Sequence, residues 1–443
     1  MRVISGRWFW AVAALGFLLL GFVLGRFSAS NVRPPHDLAS AEARSTSKTS
    51  GHLRAEHEAR SPLSSVRVEE LSHIPPSELA EVLEHRDARE IALLAQKFDS
   101  LPPNPQTYAN LRPLFKMWAQ LDEKAAFKTA VAFTDQRTQE MAIDTIATSA
   151  SPDGAGRIAQ LIREQPAGTF RDGIKEQLLD PALVNWSQTD PAAAAEFIVE
   201  NPELREISLT KILRNFGWIE GAAAIKWLNE HPSKNDYTGT SEWSEALLGW
   251  LEKTPTNAST YIVDHLDEGS IRESISSAAT GLYYVDKSLA LQWPGRLPAG
   301  DIRETAMTQI ARAYSETDPK AAAAWVAGFP RDTGTDAFGV VMSKWTTTDA
   351  DAALAWINSG AGNRRDEALA FYSHSLFPAN PDKAIETANS IFDPALRIRT
   401  LETIIGNTPA SAAERVKRWI ASSLLSREQK AQLLARMEAA QAR

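Results

Sequence analysis

Few residues in this sequence could carry chemistry, and they are widely spaced. The region that reads as folded contains four histidines, each in a different segment: His85, His231, His265 and His374. None has a partner at the spacing that a metal site or an acid–base pair needs. Asp332 and Asp336 have the spacing of two calcium-loop ligands, but Ala337 replaces the turn glycine. We therefore expect no catalytic residue, no metal and no cofactor.

The missing motifs, the absence of cysteine and the net charge argue against further classes of activity. The sequence has no HExxH, CxxC, GxSxG, Walker or GxGxxG motif, which removes the common hydrolase, redox and nucleotide-binding signatures. It has no cysteine, so it can form no disulfide. Its formal net charge is −8, and no basic stripe interrupts the mixed charges. A nucleic-acid partner is therefore not expected, because phosphate binding needs clustered Lys and Arg.

What recurs along the chain is a structural pattern that would position any such residues. A short polar residue, here called the anchor, returns at intervals of 28 to 39 residues. The anchors are Asp122, Ser151, Asp190, Glu220, Thr254, Asp286, Asp318, Asp349, Asn380 and Thr408. A period of this length, repeated many times, is typical of stacked helical hairpins.

Residues around each anchor predict the start of a helix. Nine anchors are Asp, Asn, Ser or Thr, which accept hydrogen bonds from the first turn of a helix. Proline follows six anchors, and proline is well tolerated at the first helical position. Alanine stands four residues after every anchor, where we expect close helix packing. These alanines are Ala126, Ala155, Ala194, Ala224, Ala258, Ala290, Ala322, Ala353, Ala384 and Ala412.

Aromatic residues keep the same register. Six lie four residues before an anchor: Trp118, Trp186, Phe216, Trp250, Tyr314 and Trp345. Six more lie seven residues after one: Phe197, Trp227, Tyr261, Trp293, Trp325 and Trp356. We interpret both sets as packing residues, although a stacking platform for a ligand is the alternative. Trp218, Trp243 and Trp419 are out of register, so we expect any exposed ring among them.

Arginine followed by an acid often opens the second helix of a repeat. The pairs are Arg171-Asp172, Arg205-Glu206, Arg272-Glu273, Arg303-Glu304, Arg331-Asp332 and Arg365-Asp366. The acid suits the positive end of the helix dipole, and the arginine could reach a neighbouring cap. A basic ladder for an anionic ligand is the other interpretation, but the interleaved acids would cancel its field.

The N-terminal region predicts export and a tether. Residues 1–27 contain an uncharged run that begins at Trp8 and ends at Gly25, long enough for a membrane anchor. Arg2 and Arg7 precede it, which predicts a cytoplasmic N-terminus and repeats outside. A signal peptide cleaved near Ala29 is the alternative. Residues 28–73 have too few large apolar side chains for a core and are predicted to be a disordered tether.

The remaining boundaries follow from the repeats. Residues 74–121 are predicted to be N-terminal capping hairpins, and residues 122–425 the helical repeats. Residues 426–443 are predicted to form a C-terminal capping helix, with Ser426 and Gln429 placed for a capping box. Terminal units differ from internal ones because one of their sides faces water.

A resemblance can now be stated. The repeated pattern is seen in the segment from Tyr314 to Trp325, which has Asp318-Pro319, Ala322 and Trp325 in register. This pattern is similar to the tetratricopeptide repeat, and its copies cover roughly residues 87–425. The sequence also resembles the membrane-anchored Asp-Pro-Ala-Ala-Trp repeat proteins of planctomycete and verrucomicrobial bacteria. This likeness implies an architecture and a location, and no activity.

The fold expected from these features is all-α: a right-handed α-solenoid of about ten to eleven hairpins after one transmembrane helix and a tether. We expect a non-enzymatic scaffold in the cytoplasmic membrane, with its repeats outside the cytoplasm, that binds a protein or peptide of the envelope. The longer step after Glu220 predicts a partner-binding loop containing Asn235, Tyr237 and Trp243. An envelope hydrolase, for example one acting on peptidoglycan, and a secreted structural protein are the alternatives.

Overall fold

The computed structural model describes residues 74–102, 104–233, 236–408 and 410–441. Its secondary structure over these residues is entirely helical, with 22 α-helices, several short 3₁₀ turns and one π turn. None of these helices combines the length and the apolar character that a membrane crossing requires. The predicted span from Trp8 to Gly25 and the predicted tether lie outside the described residues.

The helices have the following bounds. The first eleven are α1 Pro76–Leu83, α2 Ala88–Phe98, α3 Pro105–Val131, α4 Gln136–Ser149, α5 Pro152–Arg163, α6 Ile174–Trp186, α7 Pro191–Glu200, α8 Thr210–Glu230, α9 Asp236–Lys253, α10 Pro255–Asp264 and α11 Gly269–Glu273. The other eleven are α12 Ile275–Val285, α13 Lys287–Gln292, α14 Asp301–Thr317, α15 Pro319–Ala327, α16 Thr335–Thr348, α17 Ala350–Gly360, α18 Arg365–Leu376, α19 Pro381–Asn389, α20 Pro394–Ile405, α21 Ala413–Ser422 and α22 Arg427–Gln441.

The anchor residue forms a one-residue corner between two helices. At Asp318 the backbone N–H donates to the Tyr314 carbonyl at 3.0 Å, which closes α14, and the Asp318 carbonyl accepts from Ala322 at 3.0 Å, which opens α15. The Asp318 side chain accepts from the Ala321 N–H at 2.9 Å. Positions −4, 0 and +4 of the repeat are therefore the three residues of one hydrogen-bonded corner.

The same backbone conformation recurs at eight of the ten anchors. Their φ angles lie between −133° and −156° and their ψ angles between 65° and 89°. At Asp122 and Glu220 this corner lies inside α3 and α8, each of which is thus two helices joined by a bend. The same conformation occurs at Glu220, whose side chain makes no hydrogen bond within the described residues, so the corner does not require a side-chain cap.

Two anchors do not cap a helix as predicted. The Thr254 side chain makes no cap hydrogen bond. The Thr408 hydroxyl donates back to the Ile405 carbonyl at 2.7 Å, and α21 begins only at Ala413. At the C-terminus the capping box is confirmed, because Ser426 Oγ accepts from the Gln429 N–H and Gln429 Oε1 accepts from the Ser426 N–H.

The longer helices pack against one another in chain order. Contacts join α12 to α14, α14 to α16, α16 to α18, α18 to α20 and α20 to α22, and we call these the layer helices. The shorter helices α15, α17 and α19, here the covering helices, each lie against the layer helix before and after them. One face of the layer is therefore covered, and the side chains of its other face remain available.

Alanine and the aromatic residues fill the space between the helices. The alanines at position +4 are all buried, with exposures of 0 to 1%. Trp293 is fully buried, and Tyr314 and Trp325 pack against both of the apolar clusters into which the core divides. The core thus continues from one repeat to the next, as the repeated positions predicted.

Candidate functional site

Two adjoining cavities form a groove along α14, α16, α18 and α20. Their volumes are about 640 Å³ and 480 Å³, and His374 lines both of them. All the lining residues belong to layer helices or to the turns that follow α18 and α20. The groove therefore lies on the face of the layer that the covering helices leave open.

Helical periodicity explains which side chains of α16 reach the groove. Asp336, Val340, Ser343 and Thr347 line it, at successive spacings of four, three and four residues. This spacing places them on one face of a helix. The opposite face of α16 carries Ala337, Val341 and other core residues that are fully buried.

Gly339 shapes the floor of the groove between α16 and α18. A Cβ atom at this position would lie 2.7 Å from the ring of Phe371, which is closer than real side chains approach. The missing side chain therefore lets the Phe371 ring lie against α16. Phe371 supplies an aromatic surface in the larger cavity.

At its charged end, the groove carries equal numbers of positive and negative side chains. Lys344 Nζ donates to both carboxylate oxygens of Glu316, at 2.9 Å and 3.0 Å, and so links α16 to α14. Arg312 and Asp336 are exposed in the same cavity. Within the described part of the chain, neither side chain has a hydrogen bond or an ion pair. These two side chains can therefore pair with a ligand without breaking an existing ion pair.

The other end of the groove is apolar. The smaller cavity is lined by Phe377, Pro378, Ile404 and Asn407 in addition to His374. Phe377 and Ile404 are 2% and 1% exposed, so they form its floor. The groove thus changes from charged to apolar between α14 and α20.

The arginines that open many helices stabilise loops and do not form a ligand ladder. Arg272, Arg303 and Arg397 each donate to a carbonyl six residues earlier, those of Leu266, Leu297 and Ile391. Such bonds satisfy backbone groups in the loop that precedes each helix. Arg171 pairs with Glu140 and Arg205 with Glu242, which leaves these guanidinium groups occupied.

The predicted loop after Glu220 is not a loop at Trp243. Trp243 lies within α9 and is only 6% exposed, so its expected exposure is wrong. Its neighbour Glu242 is 1% exposed and accepts two hydrogen bonds from Arg205, at 2.8 Å and 2.6 Å. This pair holds the first turns of α9 against the preceding repeat. Tyr237 belongs to α9, whereas the Tyr237 side chain and Asn235 are outside the described residues.

The exposed rings are found elsewhere. Trp218, one of the three out-of-register tryptophans, is 39% exposed, and Lys253 Nζ lies 4.5 Å from its ring centroid. Trp419 is half-buried against the core. Tyr284 is 68% exposed, and its exposure was not among the predictions from the sequence. Tyr284 lies two residues before the anchor Asp286, as Trp218 lies two residues before the anchor Glu220. This shared position could have predicted that Tyr284 is exposed.

The titratable groups do not converge on one site. Burial raises the pKa of the Asp144 carboxyl, opposed by Arg112, and burial also raises the pKa of the Glu367 carboxyl, opposed by Arg364 and Arg331. These residues lie on α4 and α18, and neither lines the groove. In the described ranges, no three His, Cys, Asp or Glu side chains are grouped closely enough to hold a metal ion.

Comparison with known proteins places the chain in no family. No family model, no curated protein and no solved structure matches it.

Proposed function

We propose that this protein is a non-enzymatic scaffold that holds a segment of a protein or peptide partner in the groove between α14 and α20. The observation that carries this proposal is the continuity of the groove across four layer helices, through the shared His374. Neighbouring packed helices are about 8–10 Å apart. The groove is therefore long enough for an extended peptide.

The finer architecture that we propose is a right-handed α-solenoid of about ten to eleven hairpins. It is supported by the recurrent corner and by the way each of α15, α17 and α19 lies between successive layer helices. Repeat stacks of this kind offer extended binding surfaces. In such a stack the corner, alanine and aromatic positions have packing roles, which leaves the groove positions free to vary.

The location that we propose is the outer side of the cytoplasmic membrane, with one N-terminal span. Arg2 and Arg7 before the run from Trp8 to Gly25 motivate this orientation. Reporter fusions at residue 60 test it: an exported signal is expected, and a signal from the cytoplasm alone would contradict it. Size comparison of the membrane-bound chain with the full sequence separates an anchor from a cleaved signal peptide.

Binding is tested by co-purification of the full-length chain from detergent-solubilised membranes, followed by identification of the proteins retained. We expect a specific partner that is lost when Phe371→Ser and Val340→Ser are combined in the groove. Lys320→Ala, an exposed change on covering helix α15, is the matched control and should retain it. Equal retention by the groove variant, or a measured hydrolytic activity of the purified chain that a single carboxylate substitution abolishes, would overturn the proposal.

A further inference from the structure

The charged end of the groove presents a row of hydrogen-bond donors. Arg312, Ser343 and His374 each lie six residues before an anchor, so they occupy the same level on α14, α16 and α18. Lys344 is next to Ser343. Ser375 Oγ donates to Ser343 Oγ at 2.8 Å, so the Ser343 proton remains available to another acceptor. A guanidinium, a hydroxyl, an imidazole and an ammonium in one cavity suit a carboxylate.

Two carboxylates of the protein limit this attraction. Glu316 forms an ion pair with Lys344, and Asp336 lies in the same cavity without an ion pair among the described residues. An incoming carboxylate would compete with Glu316 for Lys344 and would be repelled by Asp336. Arg312 is the cation that it can pair with at no loss to an existing ion pair. This balance favours a single acidic side chain over a strongly acidic segment.

The distance to the apolar end sets a spacing. The smaller cavity begins at His374 and continues to Ile404 on the next layer helix, α20. An acid among Arg312 on α14, Ser343 on α16 and His374 on α18 lies about one and a half helix spacings, or about 12–15 Å, from the smaller cavity between α18 and α20. This distance corresponds to about four residues of extended chain at about 3.3 Å each, and side chains four residues apart point to the same face of such a chain. A side chain four residues from the acid would therefore reach Phe377 and Ile404.

We infer that the groove selects an extended segment that carries one acidic residue and, four residues away, a large apolar residue. The acid lies among Arg312, Ser343 and His374, and the apolar side chain covers Phe377 and Ile404. This inference rests on the proposed function and adds to it the chemistry of the partner.

The test uses fluorescein-labelled peptides of about twelve residues, a length that covers the three helix spacings from α14 to α20 and leaves flanking residues at each end. Each has a Gly-Ser background with Asp and Leu four residues apart, in both orders, and matched peptides replace Asp by Lys or place Leu next to Asp. Binding to the purified full-length chain is followed by fluorescence anisotropy. We expect one order of the Asp–Leu pair to bind about tenfold more tightly than its Lys counterpart.

Variants of exposed groove residues make the test specific. Arg312→Ala should weaken binding of the Asp peptide about tenfold, and Arg312→Glu should reverse the preference towards the Lys peptide. Asp336→Asn and Glu316→Gln should strengthen binding severalfold, because each removes an opposing carboxylate. Lys320→Ala should change nothing. Circular dichroism of every variant should match that of the wild type.

The two proposals fail in different ways. If Asp and Lys peptides bind equally, or if the Arg312 and Asp336 variants leave their affinities unchanged, the chemistry inferred here is wrong while peptide binding stands. If neither these peptides nor a random library of the same length binds the folded chain, both this inference and the proposed function are wrong.

Discussion

The indole N–H of Trp325 donates to the backbone carbonyl of Leu291, one repeat earlier, at 3.0 Å. The same bond joins Trp293 to Ser259 at 3.2 Å, and in both cases the two residues are 34 positions apart. In each case an indole at position +7 reaches the carbonyl at position +5 of the previous repeat. The aromatic register is thus a polar link between repeats as well as an apolar one.

This relationship predicts the effect of replacing the indole. Trp325→Phe should lower the free energy of unfolding by about 1–3 kcal/mol, since the carbonyl loses a partner and the smaller ring leaves space. Trp356→Phe is the matched control, because within the described residues the Trp356 indole N–H has no hydrogen-bond partner. Urea unfolding followed by circular dichroism measures both. Equal losses in the two variants would show that the hydrogen bond contributes nothing.

The corner predicts a difference between two anchors. Asp318→Ala should cost about 1 kcal/mol of stability, because it removes the acceptor for the Ala321 N–H. Thr254→Ala should cost clearly less, since Thr254 makes no such bond. Thermal unfolding of the two variants is the measurement. A larger loss at Thr254 would contradict the role assigned to the side-chain cap.

The alanine position predicts overpacking. Ala322 is fully buried, so Ala322→Leu should destabilise the protein by about 1–3 kcal/mol. Ala355, an exposed residue of the neighbouring covering helix α17, offers a control, and Ala355→Leu should be close to neutral. The measurement is the urea concentration at which each variant is half unfolded, compared at an unchanged dependence of the unfolding free energy on urea. A wild-type midpoint for Ala322→Leu would show that the register of close packing is wrong.

A glycine at the contact between α8 and α9 predicts a larger effect. A Cβ at Gly217 would lie 1.9 Å from the Ala246 carbonyl oxygen, so Gly217→Ala must separate two backbones and should cost about 2 kcal/mol or more. Gly295 has no atom within 4 Å of its would-be Cβ, so Gly295→Ala should be tolerated. Unfolding by urea would distinguish them, and a neutral Gly217→Ala would contradict the close approach of these helices.

An ion pair between covering helices predicts an acid-sensitive contribution to stability. Lys383 Nζ donates to Asp351 Oδ1 at 2.8 Å, and this hydrogen bond lowers the pKa of Asp351 and raises that of Lys383. Because the folded-state pKa of the aspartate is depressed, its contribution is complete above the ordinary value of about 3.9 and is lost as pH falls through the lowered one.

The measurement is the difference in urea midpoint between wild type and Asp351→Asn as a function of pH. The difference should be small and favour the wild type at pH 6, and it should vanish at strongly acid pH. It should also shrink in about 1 M salt, since the pair is exposed. A difference that persists unchanged at acid pH would show that charge is not its cause.

The corners could be predicted from the amino-acid sequence alone, because a corner depends on hydrogen bonds between residues no more than four apart. Asp318, Tyr314 and Ala322 belong to one such set, and their spacing could be read directly. The burial of alanine at position +4 followed for the same reason, since the corner orients that residue towards the neighbouring helix. The capping box of Ser426 and Gln429 is equally local.

The exposure of individual side chains and the set of residues that form the groove depend on contacts between distant helices. Trp218 and Trp243 are both out of register, yet one is 39% and the other 6% exposed, because Trp243 belongs to the apolar core cluster and Trp218 does not. Arg312 and His374 are 62 residues apart in sequence (374 − 312) and line one cavity only because α14, α16 and α18 pack side by side. Local hydrogen bonds fix each corner, but exposure depends on contacts between distant segments, which a periodic pattern does not specify.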